Sequence, residues 1–71
     1  MTNPVKELIQ ALEISWENNN YTQLIFNISN GEIHTTIDDI TYVTRYFFKI
    51  RAVNGDLYFV NINNLIGVKL V

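Results

Sequence analysis

A chain of 71 residues with 48% hydrophobic residues, 17% charged residues and a single proline has the composition of one small globular domain, not of a disordered segment. It contains no cysteine and one histidine, which excludes disulfides, thiolate metal sites and a histidine-rich zinc site. Its net charge of −2 lacks the basic excess usual in strong nucleic-acid binders.

Size sets the stability problem. Ordering the chain costs roughly 1.5 kcal/mol per residue, about 100 kcal/mol in all, and so short a chain buries only about 60% of its unfolded surface. With disulfides and metals excluded, self-association is the expected remedy; a tightly packed monomer is the alternative. No apolar run follows a basic segment at the N-terminus, and the uncharged stretches are far too short for a membrane span. The expected setting is the reducing cytoplasm, with no membrane contact. Asn20-Tyr21-Thr22 and Asn27-Ile28-Ser29 fit the glycosylation pattern and are read as chance in an asparagine-rich chain.

Residues 4–16 are expected to form a helix. Val5, Leu8, Ile9, Leu12 and Trp16 share one stripe, with Asn3 as N-cap and Pro4 at the first helical position. Trp16 is expected to plug one end of a small barrel, with a partner surface as the alternative. Glu17-Asn18-Asn19-Asn20 makes the connection. The first strand is Tyr21–Ile28. Asn30-Gly31 then predicts a two-residue hairpin turn, setting Ile28 against Ile33, Asn27 against His34, Phe26 against Thr35 and Leu24 against Ile37. Asp38-Asp39 interrupts the pattern and is read as a turn; a carboxylate site for metal or acid–base work is disfavoured because no third ligand lies near.

Tyr42–Val53 is expected as a long third strand, with Tyr46, Phe48, Ile50 and Ala52 on one face and Arg45, Phe47, Lys49, Arg51 and Val53 on the other. Asn54-Gly55 predicts a second two-residue turn, pairing Ile50 with Phe59, Arg51 with Tyr58 and Lys49 with Val60. The fourth strand, Leu57–Ile62, is apolar on both faces, so both need cover, or a partner covers one. Asn63-Asn64 is a short link with room for one turn of 3₁₀ helix. The fifth strand, Leu65–Val71, places Ile66, Val68 and Leu70 on one face and would be hazardous as a free edge. The expected architecture is one domain over residues 1–71: a helix (4–16) on a small, strongly bent, five-stranded antiparallel barrel (21–71).

This order resembles the Sm-like fold, a small SH3-like barrel found in Sm proteins and the RNA chaperone Hfq. Gly31 and Ile33 resemble the glycine and apolar residue that open the second strand of the first Sm motif. Asp38 resembles its aspartate, one residue late, so that an insertion or bulge is needed. Asn63 and Asn64 are similar in position to the loop that lines the RNA site of that family. The basic signature before the last strand is replaced here by Ile62-Asn63-Asn64-Leu65. The resemblance implies rings in which one copy's fourth strand pairs with its neighbour's fifth. It also makes RNA a partner to consider.

Two candidate surfaces follow. Tyr58, Val60, Ile62, Ile66, Val68 and Leu70 are candidate oligomer contacts. Arg45, Phe47, Lys49 and Arg51, with Tyr58 opposite, form the one basic and aromatic cluster, which is read as an ordinary solvated sheet face, a surface for a protein partner or a site for single-stranded nucleic acid. His34 is read as a solvated histidine. No nucleophile–base constellation, strained serine elbow or phosphate-cradling glycine run is present, so no enzyme activity, cofactor or small-molecule substrate is expected. The leading expectation is a non-catalytic module acting through protein contacts as a homo-oligomer; the alternative is an Sm-like RNA-binding ring protein.

Overall fold

A computed structural model describes residues 2–18 and 21–70. Asn19 and Asn20 of the expected connection, and Val71 of the expected fifth strand, lie outside them. The order of elements is α1 (Pro4–Glu17), β1 (Thr22–Ile28), β2 (Gly31–Tyr42), β3 (Phe47–Ala52), β4 (Leu57–Asn61), a 3₁₀ turn at Ile62–Asn64, and β5 (Leu65–Leu70). The strands form one antiparallel sheet in the order β4-β3-β2-β1-β5.

The helix begins where the sequence places it. The Asn3 side chain accepts from the Lys6 N–H at 3.2 Å, and Pro4 follows with no N–H to satisfy. It ends one residue later than expected, at Glu17, because the Asn18 N–H donates to the Ser15 carbonyl at 3.1 Å and its Nδ2 to that of Ile14 at 3.2 Å. Val5 and Leu12 are buried, and Leu8, Ile9 and Trp16 pack beside them. The Trp16 Nε1–H donates to the Thr22 hydroxyl at 3.1 Å, which satisfies a threonine with no exposed surface. Thr22→Val leaves that N–H without its acceptor. It is expected to cost about 1 kcal/mol, roughly 4–8 °C in melting temperature for a domain of this size; a melting curve of the variant checks this.

Curvature of the sheet follows from one short link. The 3₁₀ turn between β4 and β5 advances only about 6 Å at roughly 2.0 Å per residue, yet it joins strands at opposite ends of the sheet order. The sheet must therefore bend until its two edges approach at one corner. The Phe26 and Tyr58 rings meet edge-on at 5.4 Å. Their strands, β1 and β4, are three positions apart, a separation of roughly 14 Å in a flat sheet. The Ile62 N–H donates to the Tyr46 carbonyl at 2.7 Å and pins the corner. The sheet is strongly curved but open: no β4–β5 ladder exists among the described residues. The core of Val5, Leu12, Leu24, Phe26, Ile37, Ile40, Phe48, Ile50 and Val60 fills the concave side, with the helix as its second layer.

Three sequence expectations need correction. The first hairpin turns at Ser29-Asn30, one residue early, and Gly31 becomes the first residue of β2 with φ +137°, a conformation that favours glycine. Phe26 therefore faces Ile33, Ile25 faces His34 and Thr22 faces Ile37. The partner shifts by two, so the faces survive.

The second correction concerns Asp38-Asp39, which are not a turn. Strand β2 runs through them as a bulge between Ile37 and Asp39. Ile37 and Ile40 are both core residues three positions apart, and an extra residue is what lets a strand of period two bury both. The real reversal comes at Thr44–Phe47, where the Thr44 hydroxyl accepts the N–H groups of Tyr46 and Phe47 at 3.1 and 3.2 Å. The expected third strand loses residues 42–46 to that turn and to β2.

The third correction changes faces. The loop between β3 and β4 has three residues, not two. The Ala52 N–H donates to the Asp56 carbonyl at 2.8 Å, the Gly55 N–H to the Ala52 carbonyl at 2.9 Å, and Gly55 takes φ +97°. Asn54 accepts the Asp56 N–H at 3.0 Å. The extra residue slips the register by one, so Ile50 faces Tyr58, Phe48 faces Val60, Lys49 faces Phe59 and Arg51 faces Leu57. A slip of one exchanges the faces of a strand. Tyr58 and Val60 turn to the core, and Leu57 and Phe59 turn out.

Candidate interaction surfaces

Two surfaces combine exposed apolar side chains with open backbone or charge. The first is the outer face of β3 and β4. Phe47 and Phe59 stack there with centroids 5.0 Å apart and planes at 18°. Phe59 is 60% exposed and Leu57 76%. Lys49 and Arg51 alternate with the core residues Phe48, Ile50 and Ala52 and so point outward beside them. A shallow groove of about 140 Å³ runs between Asp39, Thr41, Lys49, Arg51 and Leu57.

Charge on this face is partly spent. The Arg51 Nε–H donates to Asp38 Oδ1 at 2.8 Å, and Asp39 is its partner in register. The hydrogen bond to Asp38 and then its charge raise the Arg51 pKa above the ordinary arginine value. Arginine stays protonated throughout the pH span in which proteins stay folded, so the basic side of this pair persists there. The bulge at Asp38 thus aims a carboxylate at β3. Lys49 makes no ion pair among the described residues.

The sequence cluster is only partly assembled. Phe47, Lys49 and Arg51 share the outer face. Arg45 lies in the turn before β3, half-buried, its guanidinium 5.2 Å from the Tyr46 ring centroid. Tyr58 lies on the opposite face against Phe26, so its expected pairing with Arg51 is overturned. Leu57 and Phe59, which the sequence did not offer as candidate contacts and whose expected register set Phe59 opposite Ile50, turn outward here. Asp56 was the available signal, because Asn54 holds its N–H and adds the third loop residue.

The second surface is the β5 edge. Leu65 pairs with Phe26, Val68 with Leu24 and Leu70 with Thr22, so these three lie in register with the core face. The register shift between Ile25 and Phe26 leaves Ile66 as the bulge residue, which replaces Ile66 by Leu65 on the expected face. Among the described residues the end of that row stays open: Val68 and Leu70 are 43% and 57% exposed, and the bulged Ile66 is 50% exposed. Of the other candidate contacts, Val60 is core, and Tyr58 and Ile62 are half-buried against it. Asn63 and Asn64 are exposed in the 3₁₀ turn, with the Asn63 N–H held by Asn61 Oδ1 at 2.8 Å. His34 pairs with Glu32 at 3.1 Å on the exposed side of the first hairpin.

No group of three or more metal-ligating side chains comes together among the described residues, and no helix among them is long and apolar enough to cross a membrane. Compared with protein-family models, with curated proteins and with solved structures, the chain finds no match in any of the three.

Proposed function

We propose that this chain is a non-catalytic interaction module that works as a homo-oligomer, the β4 edge of one copy pairing with the β5 edge of the next. The observation that carries this reading is the pair of open edges at the two ends of one curved sheet. An apolar edge strand left bare is an aggregation hazard, and the β5 edge carries exposed Ile66, Val68 and Leu70 with Lys69 as its one charge. Two different edges make a heterologous contact, which closes into a ring when the rotation between copies permits. Joining them would set Val68 and Leu70 of one copy beside the core row of Tyr58 and Val60 in the next. The Sm-like resemblance implies this same arrangement, and the element order and strong curvature support it.

The groove on the outer face offers a carboxylate and two cations but no nucleophile with a base behind it, which favours an interaction role over an enzymatic one. An RNA-binding ring is the second reading, favoured by exposed Asn63 and Asn64 beside the β4 end. It is the weaker one because Arg51 is already engaged by the Asp38 carboxylate.

Val68→Lys, at an exposed edge position, is expected to keep the native circular dichroism and lower the particle mass. An unchanged mass with an intact fold counts against edge pairing. A titration with single-stranded RNA at low and high salt separates the second reading. Salt-sensitive binding that disappears in an Arg45/Lys49/Arg51 triple alanine variant would make RNA the partner; no binding is expected.

A further inference from the structure

The sequence holds two Asn-Gly pairs, Asn30-Gly31 and Asn54-Gly55, and the fold treats them differently. Strand β5 pairs with β1 only as far as Phe26, and β3 pairs with β2 only as far as Ile37, followed by the bond from the Val53 N–H to the Thr36 carbonyl at 3.0 Å. The tip of the first hairpin therefore stands beyond both neighbouring strands as a two-stranded ribbon. Residues 27–32 are all exposed, and Gly31 forms the last rung with Ile28. A ribbon without a third strand or a packed face is marginal, so its end opens readily. The Asn30 side chain makes no hydrogen bond among the described residues. Asn54 is the opposite case. Its Oδ1 accepts the Asp56 N–H at 3.0 Å, and its Nδ2 donates to Asp56 Oδ2 at 3.1 Å. The Gly55 N–H donates to the Ala52 carbonyl at 2.9 Å. Side-chain amide and following backbone nitrogen are both held.

We infer that Asn30 is a site of spontaneous deamidation and that Asn54, in the same dipeptide, is protected. When the hairpin tip opens, the Gly31 backbone nitrogen gives up its proton and attacks Asn30 Cγ. A C–N bond forms, the Cγ–Nδ2 bond breaks, and Nδ2 takes up a proton and leaves as ammonia. The product is a five-membered succinimide. Water then opens the ring at either carbonyl. Breaking the new bond to Cγ gives aspartate. Breaking the original peptide bond gives isoaspartate, whose main chain runs through Cγ. Water is the only co-reactant, and nothing is oxidised or reduced. Glycine matters because no side chain crowds the attacking nitrogen; Asn27 and Asn61 are followed by isoleucine and Asn64 by leucine. Either product places a new negative charge at the tip beside Glu32. The change stays local, because the core residues Leu24 and Phe26 pair with Thr35 and Ile33 behind the tip. The inference holds whether or not copies of the chain assemble.

Peptide mass spectrometry tests it. Folded protein is held in mildly alkaline buffer, quenched and digested in acid, and each asparagine is followed over time. Asn30 is expected to react first, at least about tenfold faster than Asn54, because frayed ends open far more often than hydrogen-bonded loops. Its peptide should gain the mass of a hydroxyl exchanged for an amino group and split into aspartate and isoaspartate forms. In urea sufficient to unfold the chain, the two sites are expected to react within about threefold of each other, because an unfolded chain holds neither loop. Folded protein in which Asn54 keeps pace with Asn30 overturns the inference, as does an Asn30 that stays intact while another asparagine reacts. A preference for Asn30 that persists undiminished in urea also overturns it, since structure would then not be its cause. Asp56 is exposed, so Asp56→Ala is expected to keep the native circular dichroism. By removing the acceptor of Asn54 Nδ2 it is expected to speed conversion at Asn54 and leave Asn30 unchanged. An Asn54 rate that does not move in this variant counts against the assigned protection.

Discussion

Val60→Asp is expected to unfold the protein. Val60 is 3% exposed and packs in the core opposite Phe48, so the substitution places a carboxylate among apolar side chains with no partner. A buried charge of this kind costs several kcal/mol even after its pKa adjusts, and a domain below about 70–80 residues rarely holds more than about 3–5 kcal/mol of core stability. Val68→Lys provides the control. It introduces charge into the other candidate contact strand, but at a position 43% exposed, and should change assembly without changing the fold. Circular dichroism and sedimentation on the two variants separate the effects. A native spectrum for Val60→Asp would contradict the inward placement of that side chain and restore the register in which Leu57 and Phe59 face the core.

Phe26→Ala is expected to lose about 3–5 kcal/mol, the range for deleting a buried aromatic side chain. Phe26 is 1% exposed and touches Tyr58 edge-on across the interior. It links β1 to β4 where the sheet has no hydrogen-bonded ladder, so its loss loosens the curvature as well as leaving a cavity. Phe26→Leu keeps most of the volume and should cost less than about 1.5 kcal/mol. Urea unfolding of both variants measures the difference, and a loss below 1 kcal/mol for the alanine variant would mean that curvature is maintained elsewhere.

The parts of the fold legible in the sequence were those set by local physics. Asn3, Pro4 and the stripe from Val5 to Trp16 specify the helix without reference to the rest of the chain. The apolar alternation of Leu24 and Phe26 marks β1, and Asn63-Asn64 marks the 3₁₀ link. Turn geometry was the weak point. Asn-Gly fits a two-residue loop as readily as the end of a three-residue loop, and the choice depends on whether Asp56 is captured by Asn54. For Asn54-Gly55 that single residue exchanged the faces of β4, because each of its faces is apolar and hydrophobic pattern alone could not reject the wrong register. For Asn30-Gly31 the shift was by two, and the pattern stayed intact.

The same ambiguity governed the candidate surfaces. Phe47, Lys49 and Arg51 were recognisable as one face because they alternate on a strand whose other face is plainly core. Leu57 and Phe59 were hidden by the register, and Asp38 was read as a turn because its role depends on Arg51, thirteen residues away. The spacing of Ile37 and Ile40 is the sequence sign of the bulge that brings them together.

Self-association is the claim on which the proposed function stands, and the mass of the wild-type particle in solution tests it most directly. Light scattering across a wide dilution series is expected to return a multiple of 8.3 kDa that falls only at the lowest concentrations. A mass of 8.3 kDa at every concentration, from protein with native circular dichroism, would contradict the account.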